Sequence, residues 1–199
     1  LQGTDGIRGL TVASDHPLAG GMDPRRAYQE QGLLTESFVE HYALAAGRWL
    51  LARAPEKLIS PRAIVFAWDP RDSEGRFSEA ALRGLRRSEA HVLVAGVLPT
   101  PAAAVYQAAA GAAGALILTG SHNPAEENGI KIFLAEGARK PLPQEDADLS
   151  ALVWNIFPED VEESPPLGPC TESGAEARRI YGAHLSRLPN AWLREGTLD

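Results

Sequence analysis

A polar stretch at residues 121–131 collects side chains that can carry out phosphoryl chemistry. It offers a hydroxyl, an imidazole, an ammonium and two amides, carried by Ser121, His122, Lys131, Asn123 and Asn128. A serine hydroxyl can bind a phosphate or carry one covalently, and a lysine adds a compact positive charge beside it. Backbone N–H groups near Gly120 could form an anion-binding nest. The same residues could also make an ordinary polar turn, because Asn-Pro and Asn-Gly are common turn dipeptides.

Apolar runs on both sides of this stretch predict two short buried strands, at residues 115–118 and 130–134. A loop between buried strands is held by a rigid scaffold, and such loops often carry function. Gly120 adds backbone freedom and room for a ligand to approach closely. The pattern therefore predicts a polar functional loop at one edge of a sheet.

Strand and helix patterns alternate along most of the chain, which indicates an α/β layer fold. Further strands are predicted at residues 63–67 and 91–94, and helices at 35–53, 78–90, 100–110 and 141–154. Ser78 is the predicted N-cap of the second helix. Residues 15–34 are rich in proline and glycine and predict a loop or an insertion.

Composition narrows the class of protein. Apolar residues make up 44% of the 199 residues, which is enough for a core, and no apolar run reaches the length of a transmembrane helix. The net charge of −7 argues against nucleic-acid binding, so a phosphate site would be a local concentration of positive charge. The one cysteine excludes an internal disulfide, and no signal peptide is visible. We expect no membrane partner and a cytoplasmic location.

Four short motifs resemble those of the α-D-phosphohexomutases, which include phosphoglucosamine mutases, phosphomannomutases and phosphoglucomutases. The active-serine motif, T-A-S-H-N-P followed by N-G-I-K, stands here as T-G-S-H-N-P at 119–124 and N-G-I-K at 128–131. The other three, in the family's order, are G-T-D-G-I-R-G at 3–9, D-P-R-D-S at 69–73 and G-V-L-P-T-P at 96–101. The resemblance covers about residues 3 to 134. It departs at Gly120, where the family usually has alanine, and at Ala67-Trp68, where a glycine normally precedes the D-x-R turn.

The resemblance implies a fold and an activity. The fold would be a layered mixed β-sheet with helices packed on its faces, like the first domain of these enzymes. The activity would be interconversion of hexose 6-phosphate and hexose 1-phosphate through a phosphoserine and a hexose bisphosphate, so the partners would be these sugar phosphates. The opening motif does not choose among glucosamine, mannose and glucose.

The resemblance also implies roles for individual residues. Ser121 would be the phosphoryl carrier, with Lys131 and Arg8 stabilising the transferring phosphate. His122 would orient the phosphate or relay a proton, with a structural histidine as the alternative. The remaining assignments are phosphate or substrate binding by Thr4, Asp5, Asn123 and Asn128, and loop support by Asp69 and Arg71.

A magnesium ion would be reached only through the Ser121 phosphate, because the family's D-G-D-x-D-R loop is absent from this sequence. The nearest acidic cluster, at 145–148, reads better as the start of a helix. We therefore expect residues 1–154 to be the first domain of a longer phosphohexomutase, 155–174 a linker and 175–199 the start of a truncated second domain. The chain by itself would be inactive. The alternative is a truncated, non-catalytic module that binds phosphate or another protein through the same loops.

Overall fold

The computed structural model describes residues 6–156 and 167–188 of the chain. Its strands within these ranges are β1 (Ile7–Thr11), β2 (Leu33–Leu34), β3 (Ser60–Trp68), β4 (His91–Val97), β5 (Ala112–Leu118), β6 (Glu127–Leu134) and β7 (Cys170–Glu172). Its helices are α1 (Pro24–Gln31), α2 (Glu36–Ala52), α3 (Arg76–Arg87), α4 (Thr100–Ala110), α5 (Pro143–Asn155) and α6 (Gly174–Arg187). The predicted α/β class is confirmed.

The strands of the described ranges form one mixed sheet in the order β2-β1-β6-β5-β3-β4-β7. Strand β6 runs antiparallel to both neighbours, β1 and β5, and the other neighbouring pairs are parallel. Parallel neighbours need a crossover connection, whereas an antiparallel return needs only a loop. The polar loop between β5 and β6, residues 119–126 and hereafter the serine loop, is such a return.

Helices cover both faces of this sheet. One core joins α2, α3 and α5 to the strands, with Phe38, Leu85 and Leu149 fully buried in it. The second core, on the opposite face, contains Tyr106 of α4 and Ala177 of α6. Because both faces are covered, the central strands are nearly continuous apolar runs rather than alternating ones. The strand ends that carry the polar loops are thus held between two packed layers.

Two local predictions are corrected. Residues 15–34 contain α1 and β2: the Asp23 side chain caps α1, Pro24 begins it and Gly32 ends it with a left-handed φ of 67°. The proline and glycine in this segment are therefore helix start and stop signals. Helix α3 begins at Arg76, two residues before the predicted N-cap.

Gly75 occupies the N-cap position of α3, and the side chain that bonds the first backbone N–H groups is that of Asp72, from the preceding turn. Its carboxylate accepts hydrogen bonds from the backbone N–H of Phe77 at 3.3 Å and of Ser78 at 2.6 Å. Ser78 instead donates its hydroxyl to the carbonyl of Gly75 at 3.1 Å. This capping ties the D-P-R-D-S turn to a buried helix and gives the turn a fixed position.

The predicted linker, residues 155–174, falls partly outside the described residues. Within the described part, residues 170–172 form β7, which pairs in parallel with β4, and α6 follows it and packs on α4. These residues therefore extend the sheet, contrary to a free linker at this position. The division into domains remains a prediction. No helix among the described residues is long and apolar enough to cross a membrane.

We predict that the close packing of α2 on α3 depends on Gly84. A Cβ at this position would collide with the carbonyl oxygen of Glu40 and lie 2.9 Å from the Cβ of Ala43. Gly84→Ala should therefore lower the free energy of unfolding by about 1–3 kcal/mol, measured by urea denaturation. Gly182→Ala is the matched control, because a Cβ in α6 would meet nothing within 4 Å. That variant should be unchanged or up to about 1 kcal/mol more stable, and equal behaviour of the two variants would contradict the packing argument.

Candidate active site

The serine loop lies at the carboxyl end of β5, next to two other polar segments. The turn at residues 69–75 follows β3, whose last residue pairs with the last residue of β5. Strand β1 flanks the loop on the other side, where Arg8 pairs with Gly129 of β6. The sheet thus brings together segments that are far apart in the sequence, as the carboxyl ends of neighbouring strands generally do in α/β proteins.

Ser121, the predicted nucleophile, and Lys131 are in direct contact. The Lys131 ammonium donates a hydrogen bond to the Ser121 hydroxyl oxygen at 2.9 Å. Ser121 is exposed, while Lys131 is buried, with 9% of its surface accessible. Burial lowers the pKa of Lys131 from its usual value, and the nearby Arg8 guanidinium lowers that pKa further. The site therefore pairs an accessible hydroxyl with a desolvated cation.

Arg8, near Lys131, bonds to the side-chain amide of Asn123 in the serine loop. Its Nη1 donates to the side-chain oxygen of Asn123 at 2.9 Å, and the Nδ2 of Asn123 donates to the Glu127 carboxylate at 2.6 Å. Gly129 makes room for the arginine, since a Cβ there would lie 3.1 Å from the Cγ of Arg8. Arg8 and Lys131, the two cations predicted to contact phosphate, thus lie at the same end of the sheet.

Arg71 holds the serine loop through its backbone carbonyls. Its guanidinium donates to the backbone carbonyls of Ser121 at 2.6 Å, Asn123 at 2.8 Å and Glu127 at 3.1 Å, and also to that of Pro124. Gly120 lets it approach, because a Cβ there would lie 3.0 Å from the Arg71 guanidinium carbon. The departure from the family's alanine therefore coincides with a close contact to the loop's main support.

Asp69 holds the beginning of the loop. Its carboxylate accepts the Thr119 hydroxyl at 2.7 Å and the Gly120 N–H at 3.2 Å. Since the Thr119 hydroxyl proton is used on Asp69, its oxygen accepts the Ser121 N–H at 3.0 Å. These contacts hold Ser121 at a φ of 52°, a left-handed conformation that is uncommon for a residue with a side chain.

The amide nest suggested by Gly120 does not form. The N–H groups of Gly120 and Ser121 bond to Asp69 and Thr119, and that of Asn123 bonds to the Gly120 carbonyl at 3.0 Å. A phosphate on Ser121 would therefore be met mainly by side chains. Within the described residues, the positively charged side chains that are candidates to contact such a phosphate are Lys131 and Arg8.

The other predicted site residues differ in their surroundings. His122 is exposed, and no hydrogen bond of its side chain is recorded in the described part of the chain. Asn128 is only 2% exposed, and its side-chain oxygen accepts the N–H of Gly129 at 2.8 Å. Thr4 and Asp5 lie outside the described residues. The substrate contacts of these four residues remain predictions.

Sequence reasoning missed Thr119 and Glu127. Thr119 lies inside the recognised motif, so its position was available, but its bond to Asp69 is a tertiary contact over 50 residues. Glu127 follows another glutamate, Glu126, and nothing in a single sequence distinguishes them. The structure does so through the bond from Asn123 to Glu127.

The described residues contain no group of three or more His, Cys, Asp or Glu side chains that could hold a metal ion. The acidic cluster at 145–148 lies within α5, as expected, and its Glu145 accepts the N–H of Leu142 at 2.7 Å. The described part of the chain thus offers a magnesium ion no protein ligand set of its own.

Comparison with known proteins agrees with this geometry. The family model for the phosphoglucomutase/phosphomannomutase alpha/beta/alpha domain I matches residues 1–156. The phosphoglucosamine mutase of Arthrobacter sp. (strain FB24) is 40% identical over 147 residues, covering 74% of this chain and 28% of that protein. That of Koribacter versatilis (strain Ellin345) is 32% identical over 200 residues, covering 99% and 37%.

Among solved structures, a protein from Thermus thermophilus assigned as a phosphomannomutase matches with a TM-score of 0.63 and 25% identity. The match covers 92% of this chain and 35% of that one. This chain spans only part of its relatives' length: 28% of the Arthrobacter protein and 37% of the Koribacter protein.

We predict that Arg71→Lys loosens the serine loop without unfolding the domain. An ammonium cannot span four carbonyls as the planar guanidinium does, and bonds from a charged donor contribute about 1.5–3 kcal/mol. Amide hydrogen exchange in residues 121–127 should accelerate by roughly ten- to hundredfold, measured by mass spectrometry. Arg62→Lys is the control, since the Arg62 side chain is 65% exposed. Wild-type exchange rates in Arg71→Lys would show that the arginine does not support the loop.

Proposed function

This chain belongs to the phosphoglucomutase/phosphomannomutase family, and we propose from that membership that it is domain I of a phosphohexomutase. The enzyme interconverts hexose 6-phosphate and hexose 1-phosphate, with Ser121 as the phosphoryl carrier. The observation that carries this proposal is the 2.9 Å hydrogen bond from the Lys131 ammonium to the Ser121 hydroxyl. It supports the proposal because a cation lies beside the oxygen that is proposed to form and break the bond to phosphorus.

The proposed reaction has two transfers through one residue. In the first, the free hydroxyl of the hexose phosphate attacks the phosphorus of phosphoserine 121, the bond from phosphorus to the Ser121 oxygen breaks, and the hydroxyl proton ends on that oxygen. In the second, the Ser121 hydroxyl attacks the other phosphate of the bisphosphate, the bond from this phosphate to the sugar oxygen breaks, and the serine proton ends on the sugar oxygen. Catalysis of such transfers rests mainly on positioning and charge neutralisation. Lys131 stabilises the charge on the departing oxygen, and Arg8 the charge on the phosphoryl group.

The remaining assignments follow the family motifs. His122 faces solvent, where it can orient the phosphate or relay a proton. Thr4, Asp5, Asn123 and Asn128 complete the proposed substrate contacts. Asp69 and Arg71 support the loop through the bonds described above.

Magnesium is the proposed cofactor and would neutralise phosphate charge when bound. This chain would contribute to its site through a phosphate on Ser121, and the other ligands would come from elsewhere in the enzyme. The chain alone is therefore proposed to be inactive. With a single cysteine in the sequence, the cytoplasm remains the proposed compartment.

The alternative, a non-catalytic module that binds phosphate or a protein, is less well supported. A binding module needs cations, but it does not need an exposed hydroxyl held against a buried ammonium. The family match also extends over the entire serine loop. Both observations favour the enzyme.

We predict that Ser121→Ala abolishes phosphoryl exchange between the enzyme and hexose bisphosphate while leaving the domain folded. The hydroxyl is the proposed acceptor, and its loss removes a hydrogen bond from a charged donor worth about 1.5–3 kcal/mol, so we expect lower stability but a folded domain. Intact-mass analysis should find one phosphoryl group on the wild type and none on the variant. Ser186→Ala, on the exposed side of α6, is the control and should behave as the wild type. Full activity in Ser121→Ala would overturn the proposed function.

We predict that Lys131→Met lowers kcat/KM about ten- to hundredfold. The variant removes the proposed hydrogen bond from the Lys131 ammonium to the transferring phosphate. Such a bond from a charged donor is worth about 1.5–3 kcal/mol, and each 1.4 kcal/mol corresponds to about tenfold in rate. Lys57→Met removes the same charge from an exposed position before the start of β3, at the end of the sheet opposite the serine loop, and should leave kcat/KM unchanged. Equal kinetics in the two variants would reduce Lys131 to a structural lysine.

A further inference from the structure

We propose that Glu127 is a positioning residue that sets the direction of Arg8 through the Asn123 amide. The inference rests on the proposed function, in which Arg8 faces the transferring phosphoryl group. Its structural basis is the chain of two hydrogen bonds from Arg8 Nη1 to Asn123 Oδ1 and from Asn123 Nδ2 to Glu127 Oε2, at 2.9 Å and 2.6 Å.

The sheet register places these residues on one side. Arg8 pairs with Gly129, and Leu10 pairs with Glu127, across the antiparallel strands β1 and β6. Side chains alternate between faces along a strand, and directly paired residues point to the same face. Arg8, Glu127 and Lys131 therefore share a face, and Gly129 between the two β6 residues leaves the arginine its path toward Asn123.

Glu127 selects one orientation of the Asn123 amide. An asparagine side chain has an oxygen that accepts and a nitrogen that only donates. A guanidinium also only donates, so Asn123 can bind Arg8 with its oxygen alone. The carboxylate of Glu127 accepts a hydrogen bond from the Asn123 nitrogen. It thereby opposes a rotation of the Asn123 amide that would turn its NH₂ group toward the N–H donors of Arg8.

The carboxylate also adds charge to this chain. Arg8 lies close enough to Lys131 to lower the pKa of the lysine, so the two cations repel each other. A hydrogen bond to a carboxylate polarises the amide and strengthens the bond that its oxygen accepts. Glu127 thereby helps to keep Arg8 at the reaction centre against this repulsion, without occupying the guanidinium itself through this contact.

The side chain of Glu127 can be changed without removing its other contact. Its backbone carbonyl accepts from Arg71 at 3.1 Å, and a substitution of the side chain retains this carbonyl. Glu127→Gln keeps an acceptor for Asn123 but removes the charge, and Glu127→Ala removes both. Glu126→Ala is the matched control, because Glu126 is exposed and its described contact, with Thr11, uses the backbone carbonyl.

The first test is structural and does not depend on activity. In the 199-residue chain, the side-chain amide proton of Asn123 that is bonded to the Glu127 carboxylate should give an NMR signal shifted downfield from the range of free asparagine amides. We expect this downfield shift to be lost in Glu127→Ala, to persist in part in Glu127→Gln and to be unchanged in Glu126→Ala. Unchanged signals in Glu127→Ala would overturn the inference whatever the function of the protein.

The second test measures kinetics in the enzyme. Glu127→Ala should lower kcat about tenfold, the equivalent of one charge-assisted hydrogen bond, with a smaller change in KM and an unchanged melting temperature. Glu127→Gln should recover at least part of this loss, and Glu126→Ala should match the wild type. Wild-type kcat in Glu127→Ala, with Ser121→Ala still inactive, would overturn the positioning role and leave the proposed function intact. Activity retained in Ser121→Ala would instead overturn the proposed function.

Discussion

The Arg71 guanidinium, bonded to three backbone carbonyls of the serine loop and to that of the first residue of β6, is the interaction on which the site depends. A loop that returns between antiparallel strands has no backbone ladder of its own, so its carbonyls need partners from elsewhere. Arg71 supplies them for Ser121, Asn123, Pro124 and Glu127. With the backbone fixed in this way, the Ser121 side chain is held within reach of Lys131.

Arg71 can do this because the turn that carries it is held at two points. Its backbone N–H bonds to the Asp69 carboxylate at 3.0 Å, which also receives Thr119 and Gly120 of the loop. One residue further along the turn, Asp72 caps α3. The support of the loop is therefore anchored in the buried layer of the domain, so the position of Ser121 is coupled to the core.

The candidate site concentrates positive charge in a chain whose net charge is negative. A chain of net charge −7 places Lys131, one of its three lysines, beside Arg8 and a loop held by Arg71. Burial makes this arrangement costly for the lysine, which is the cause of its lowered pKa. A dianionic phosphate would relieve the repulsion between the cations. Such a concentration of positive charge in an acidic chain is typical of a specific anion site rather than of a general polyanion surface.

The sequence predicted the elements with strong periodicity and the loop with unusual chemistry. Helix α2 was found within one residue at each end, because Thr35 is a good N-cap and its apolar face is long. Strand β7 was missed because residues 170–172 are exposed and lack an apolar pattern, and they form a strand only because the edge of β4 is available. Glu127 and the bonded amides of the loop were missed for the same reason: their partners are set by tertiary contacts, which local patterns do not encode.

The place of β1 inside the sheet has a consequence for synthesis of the protein. This strand lies between β2 and β6, and its Arg8 meets Asn123, which follows it by 115 residues. At about 5–20 residues per second, a ribosome makes the partner strand roughly ten seconds after β1 has been made. Until then β1 has only the short β2 as a neighbour among the described strands, and one of its edges stays open to other chains. The insertion of β6 therefore closes the exposed edge and brings Arg8 to the serine loop in the same event, so a nascent chain that is vulnerable to aggregation is also one in which these residues have not yet met.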